Sequence, residues 1–174
     1  MLFRSPASKM LFYIPVGIML TANLWYGIGL YVAPIEVILY VLTMLLVGFL
    51  EEIIFRGLLF HAMRKDGVRS AILVSSLTFG MGHIINLFNG SGTELLPNLL
   101  QVLYATAAGF MFVMIYYRTE SLLVCIAAHG VFNALSVCVN QEAVTDTMHI
   151  ISCVFLIVVC GGYGAYLAKR EKIK

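Results

Sequence analysis

The chain has 174 residues, 61% of them hydrophobic and only 11% charged, with a formal net charge of +2 and a mean hydropathy of +0.95. Soluble domains carry about 25% charged residues and about 45–50% apolar ones, so this composition excludes a soluble enzyme and a disordered tail. The small net charge gives no footing for nucleic acid, and the expected surroundings are a lipid bilayer.

Apolar stretches near the length that crosses a bilayer, about 17–25 residues, follow one another along the chain. The predicted spans are residues 10–32, 35–63, 70–88, 95–117, 122–139 and 147–168. Ala33-Pro34, Lys65-Asp66-Gly67, the run Asn89-Gly90-Ser91-Gly92 and Asn140-Gln141-Glu142 punctuate them. The expected architecture is all-α, a polytopic bundle of about six transmembrane helices in a single integral-membrane domain, residues 1–174. No second domain, linker, internal repeat or low-complexity tract is visible. The first apolar run exceeds the h-region of a signal peptide, about 7–15 residues, and lacks a small-residue cleavage site, so an uncleaved anchor is expected.

Charge tests this partition independently. Arg4 and Lys9 precede the first span, and Arg64, Lys65 and Arg69 separate the second from the third. Arg118 lies between the fourth and fifth, and Lys169, Arg170, Lys172 and Lys174 follow the sixth. Ten of the 11 basic residues thus fall on one side, which the positive-inside rule assigns to the cytoplasm together with both termini. The opposite connections hold Glu36, Glu94, Glu142 and Asp146. Cys125, Cys138, Cys153 and Cys160 lie within or at the ends of spans without C-x-x-C spacing, and read as small hydrophobes.

The eleventh basic residue, Arg56, sits inside the second span with Glu51 and Glu52. An ionisable side chain at the centre of a bilayer costs about 2.5–3.5 kcal/mol on insertion scales, so each requires a partner. Glu52 and Arg56 are one turn apart with the acid on the N-terminal side, the favourable order for an ion pair. Glu51 points about 100° away and lacks such a partner in its own helix. Histidines are the candidates to meet it. His83 lies in Phe79-Gly80-Met81-Gly82-His83 of the third span, and His129 lies in His129-Gly130-Val131-Phe132-Asn133 of the fifth. Asn133 shares a helix face with His129. Gly80, Gly82 and Gly130 either allow close helix approach or leave room for a substrate backbone. His61 and His149, near span ends, read as interfacial.

Counted inward at ~1.5 Å per residue, Glu51, His83 and Asn133 each lie about 20 Å from the basic side, and His129 about 14 Å. Three helices therefore deliver polar groups to one layer of the bilayer. A carboxylate, two imidazoles and an amide suit amide-bond hydrolysis by an activated water, because no serine or cysteine has the surroundings of a nucleophile. Glu51 reads as the general base and His83 as the group that holds the water and passes a proton to the leaving amine. His129 and Asn133 read as N–H donors to the oxyanion. The same atoms admit a metal version in which Glu51, His83 and His129 bind zinc. The H-E-x-x-H motif is absent, and the metal-free version is preferred.

The three motifs, Glu51-Glu52-Ile53-Ile54-Phe55-Arg56, Phe79 through His83, and His129 through Asn133, resemble those of the CAAX protease and bacteriocin-processing (CPBP) membrane proteins. Within that family the likeness is to the type II CAAX prenyl endopeptidases. It covers residues 45–140, the core that carries the motifs. The resemblance implies that Glu51 and His83 activate the catalytic water and that His129 and Asn133 stabilise the oxyanion. It also implies a bacterial cell membrane as the location, since many members are bacterial proteins of bacteriocin immunity, peptide-signal maturation or scaffolding. The expected partners are membrane lipids and a peptide or membrane-protein substrate, lipidated or not.

The leading functional class is an intramembrane endopeptidase. The alternatives are a non-catalytic immunity or scaffold protein of the same fold, and a proton-coupled carrier that uses Glu51 and the histidines as a relay. The amide of Asn133 and the absence of repeat symmetry weigh against the carrier.

Overall fold

A computed structural model describes residues 6–173. Arg4, Lys174 and the side chain of Lys9, all assigned above to the basic flanks, lie outside what it describes. Regular structure among the described residues is helical, with one isolated antiparallel bridge between Ile28 and Val139. In chain order the helices are α1 (Pro6–Leu20), α2 (Pro34–Met63), α3 (Val68–Gly82), α4 (Leu95–Thr119), α5 (Leu122–Leu135) and α6 (Asp146–Arg170). Short 3₁₀ segments extend α1 (Ala22–Tyr26), α3 (His83–Leu87) and α5 (Ser136–Cys138).

Four helical stretches are long and apolar enough to cross a membrane: Pro34–Met63, Val68–Leu87, Leu95–Thr119 and Asp146–Arg170. Two apolar helical stretches are shorter, Leu11–Tyr26 and Leu122–Cys138. The first predicted span differs most from the structure. Its helix ends at Tyr26 rather than continuing through Val32, because Gly27 takes φ +80°, a left-handed conformation that stops a helix.

Local chemistry sets the helix ends. Pro34 opens α2, where its missing N–H is no loss, and the Glu36 carboxylate accepts the Ala33 backbone N–H at 2.9 Å. At α6, Thr145 Oγ1 accepts the Met148 N–H at 3.3 Å. Lys169 and Arg170 occupy its last turn, where cations complement the helix dipole.

Helix α4 is the axis of the bundle. Its run Met111–Phe112–Val113–Met114–Ile115 is buried on every side, as a helix surrounded by others must be. Helix α3 and the second half of α6 pack against α4, and α2 packs against α5. Helix α2 has a single buried stripe, Gly48, Glu52, Arg56 and Phe60, while Leu46, Leu50, Ile54 and Leu58 face outward. The stripe advances by four residues, which carries its two charges into the bundle and leaves the apolar remainder for lipid.

Glycines set two of these approaches. A Cβ on Gly48 would lie 2.7 Å from the Gly130 backbone nitrogen, and one on Gly80 would lie 2.7 Å from the Val102 carbonyl oxygen. Both are shorter than ordinary van der Waals contact, so α2 meets α5, and α3 meets α4, through missing side chains. A Cβ on Gly82 would meet nothing within 4 Å. The two readings left open for these glycines therefore divide, close approach at Gly80 and Gly130 and open space at Gly82.

Candidate functional site

The buried stripe of α2 continues through the point where its winding loosens. Residues Ile53–Phe60 form a π-helical segment directly after Glu51 and Glu52, a feature found frequently at functional sites. Arg56 Nη1 donates to Glu52 Oε1 at 2.8 Å, and both side chains have 0% exposure. Arg56 Nη2 donates to the Gly109 carbonyl at 3.1 Å, and the guanidinium lies 4.3 Å from the centre of the Phe79 ring. The pair that the one-turn spacing predicted is present, held further by α4 and by a cation–π contact.

His129 enters this cluster from α5. Its Nδ1 lies 3.0 Å from Glu52 Oε1, and its Nε2 lies 3.4 Å from Glu51 Oε2. The ring stacks on Phe112, with centroids 5.7 Å apart, and meets Phe79 edge-on. Both imidazole nitrogens therefore face carboxylates. Glu52 thus lies between the Arg56 guanidinium and the His129 ring, and Glu51 meets that ring on its other side.

His83 lies where α3 tightens into its 3₁₀ extension. Its Nδ1 is 3.0 Å from the Phe79 carbonyl oxygen. A carbonyl only accepts, so Nδ1 carries a proton and donates it to this bond. The backbone carbonyl of His83, released from regular α-helical bonding, accepts from Asn98 Nδ2 of α4 at 2.8 Å. Asn98 is wholly buried.

Glu51, His83 and Asn133 line one open cleft of about 330 Å³, and Glu51 keeps 30% of its side chain exposed. Gln101 and Tyr104 from α4, Asn86 from the extension of α3, and Asn23, Tyr40 and Ser136 complete the polar wall. His129 does not line this cleft. It borders a smaller adjoining cavity of about 50 Å³ that shares His83, Gln101, Tyr104 and Asn133. The four proposed catalytic residues thus meet around two joined spaces, with His129 behind Glu51. His61 stands apart in a hollow at the basic end of α2, and His149 belongs to the first turn of α6.

The zinc alternative needs Glu51, His83 and His129 to converge on one point. Among the described residues no three His, Cys, Asp or Glu side chains are grouped to hold a metal ion. Each nitrogen of His129 is directed at a carboxylate, and Nδ1 of His83 at a carbonyl.

Asn98, Gln101 and Tyr104 were not singled out from the sequence. Their signal was available, because polar groups at a spacing of three residues mark one face of the otherwise apolar α4. Uncharged and near the N-terminal end of their helix, they stood out less than the buried charges.

No solved structure matches the chain. Among curated proteins it is similar to "Putative membrane peptidase YdiL" of Bacillus subtilis (strain 168), with 36% identity over 98 residues. That alignment takes in 56% of this chain and 35% of the relative, so the chain spans about a third of that protein's length. The model of the type II CAAX prenyl endopeptidase Rce1-like family matches residues 33–135, more than half the chain and the segment that contains all three motifs. The chain is an integral membrane protein of the Rce1-like family of type II CAAX prenyl endopeptidases.

Proposed function

We propose that this protein is an intramembrane endopeptidase that hydrolyses a peptide bond with a water activated by Glu51 and His83. The observation that carries the reading is the common cleft of Glu51, His83 and Asn133, with His129 3.4 Å behind Glu51. In the competent state Glu51 is a carboxylate and His129 Nε2 carries a proton. Glu51 takes a proton from the water held beside His83 Nε2, and the resulting hydroxide attacks the substrate carbonyl carbon. Protonation of Glu51 releases the His129 N–H, which together with the Asn133 amide stabilises the oxyanion. When the C–N bond breaks, Glu51 returns the proton through His83 to the leaving nitrogen.

Glu52 and Arg56 act indirectly in this scheme. Glu52 orients the His129 ring through Nδ1, as a buried carboxylate orients the imidazole of a hydrolytic triad. The end that carries the basic residues faces the cytoplasm in this proposal, with both termini on that side. The test compares peptides and membrane proteins processed in cells that carry wild-type or Glu51→Gln protein. Products seen only with the wild type support the protease. Identical processing in both would favour a non-catalytic immunity or scaffold role.

A further inference from the structure

At the end of the bundle that carries most of the basic residues, α3 and the last turn of α6 leave a groove of about 390 Å³. Ile72 and Leu73 form one side, Phe110 of α4 lies among its walls, and Ala168 and Ile173 form the other side. Arg69 and Lys169 are its two cations, and both are exposed. The Arg69 guanidinium is held in place because Nε and Nη2 donate to the Ile173 carbonyl at 3.2 and 3.0 Å, with no bond from Nη1 among the described residues.

No carboxylate lines the groove among the described residues. Among the described residues Glu120 pairs with Arg64, and Glu171 pairs with Arg118, so neither acid neutralises Arg69 or Lys169. A neighbouring hollow lined by His61, Arg64, Lys65 and Glu120 differs in this respect, because its acid sits among its bases. An apolar wall at the end of a membrane helix, capped by two cations that no acid among the described residues pairs with, is complementary to a molecule with an acyl chain and an anionic head. Leu73, exposed on the same helix, turns that wall towards the bilayer, where such molecules are the solvent.

We propose that this groove binds one anionic phospholipid, its phosphate between Arg69 and Lys169 and an acyl chain along Ile72, Leu73 and Phe110. A zwitterionic head would bring its own ammonium to the same two cations and be held less firmly. The site lies apart from the cleft of Glu51 and does not depend on the proposed catalytic reading.

The experiment measures binding of phosphatidylglycerol and phosphatidylcholine to the purified full-length protein in detergent by native mass spectrometry. Phosphatidylglycerol is expected to bind more tightly. Lys169→Gln is expected to weaken it about fivefold, and Arg69→Gln with Lys169→Gln about thirtyfold, from the ~1 kcal/mol per basic residue typical of anionic lipid surfaces. Lys65→Gln, in the hollow that holds its own acid, serves as the control and should leave binding unchanged. Should the Arg69 variant unfold through loss of its bonds to Ile173, the Lys169 variant alone carries the test. Equal binding of the two lipids, undiminished binding by Lys169→Gln, or displacement of the lipid by equimolar inorganic phosphate would overturn the proposal.

Discussion

His129 Nε2 stands 3.4 Å from Glu51 Oε2, joining α5 to α2 inside the bundle. Because the opposite nitrogen of the ring is 3.0 Å from Glu52, one imidazole links the two adjacent glutamates, which on their own helix point in different directions. This link makes Glu51 the half-buried end of a polar chain that reaches the cleft.

Glu51→Gln is therefore expected to abolish peptide cleavage while the protein still folds. Glutamine keeps the shape and hydrogen-bonding reach of the side chain but cannot take a proton from water. Product analysis by mass spectrometry, alongside a thermal unfolding curve, checks both halves of the expectation. Cleavage at the wild-type level would sink the mechanism.

The Glu52–Arg56 pair makes a different prediction, about stability. Removing one member of a fully buried pair leaves an uncompensated charge, at a cost of about 3–5 kcal/mol. Glu52→Ala or Arg56→Ala should lower yield and melting temperature in detergent. Replacing both with apolar residues of similar volume should destabilise less than either single change. Variants as stable as the wild type would mean the pair does not hold α2 to the bundle.

Helix approach can be tested at the glycines. Gly48→Ala and Gly80→Ala each place a methyl group 2.7 Å from backbone atoms of a facing helix. Each should cost about 1–3 kcal/mol as the helices are pushed apart. Gly82→Ala, which meets open space, should leave the melting temperature near that of the wild type. A comparable loss at Gly82 would show that helix separation is not what the glycines protect.

Asn98 links α4 to the catalytic region through the His83 backbone. Asn98→Leu removes the 2.8 Å bond to the His83 carbonyl and leaves that carbonyl without its partner, at about 1–3 kcal/mol. Activity should fall with stability, because the His83 ring is carried by the same backbone. Unchanged cleavage by the variant would separate His83 from this support.

Metal dependence has a direct test. The protein should retain cleavage after treatment with a chelator, with no zinc recovered in stoichiometric amount by elemental analysis. Activity lost to the chelator and restored by zinc would mean that Glu51, His83 and His129 act as a metal set.

Much of this was legible in the amino-acid order. The bilayer, the helical class, the boundaries of α2 and α4 and the Glu52–Arg56 pair all follow from local rules. A charge-poor chain must avoid water, and residues four apart on a helix must be neighbours. The early end of the first helix was harder to read. Apolar residues continue past Tyr26 to Val32, and only the backbone conformation at Gly27 separates helix from coil.

The primary structure by itself determined which residues are chemically out of place in a membrane: Glu51, Glu52, Arg56, His83, His129 and Asn133. Tertiary structure decided which of them meet. The rotation of α5 against α2, permitted by Gly48 facing Gly130, turns both nitrogens of His129 to the two glutamates. The packing of α3 on α4 puts His83 at the cleft and brings in Asn98, Gln101 and Tyr104 beside it. A helical repeat specifies neighbours within one helix, but the separation and rotation between helices depend on side chains distant in sequence. Contacts across the bundle are therefore invisible until it is assembled.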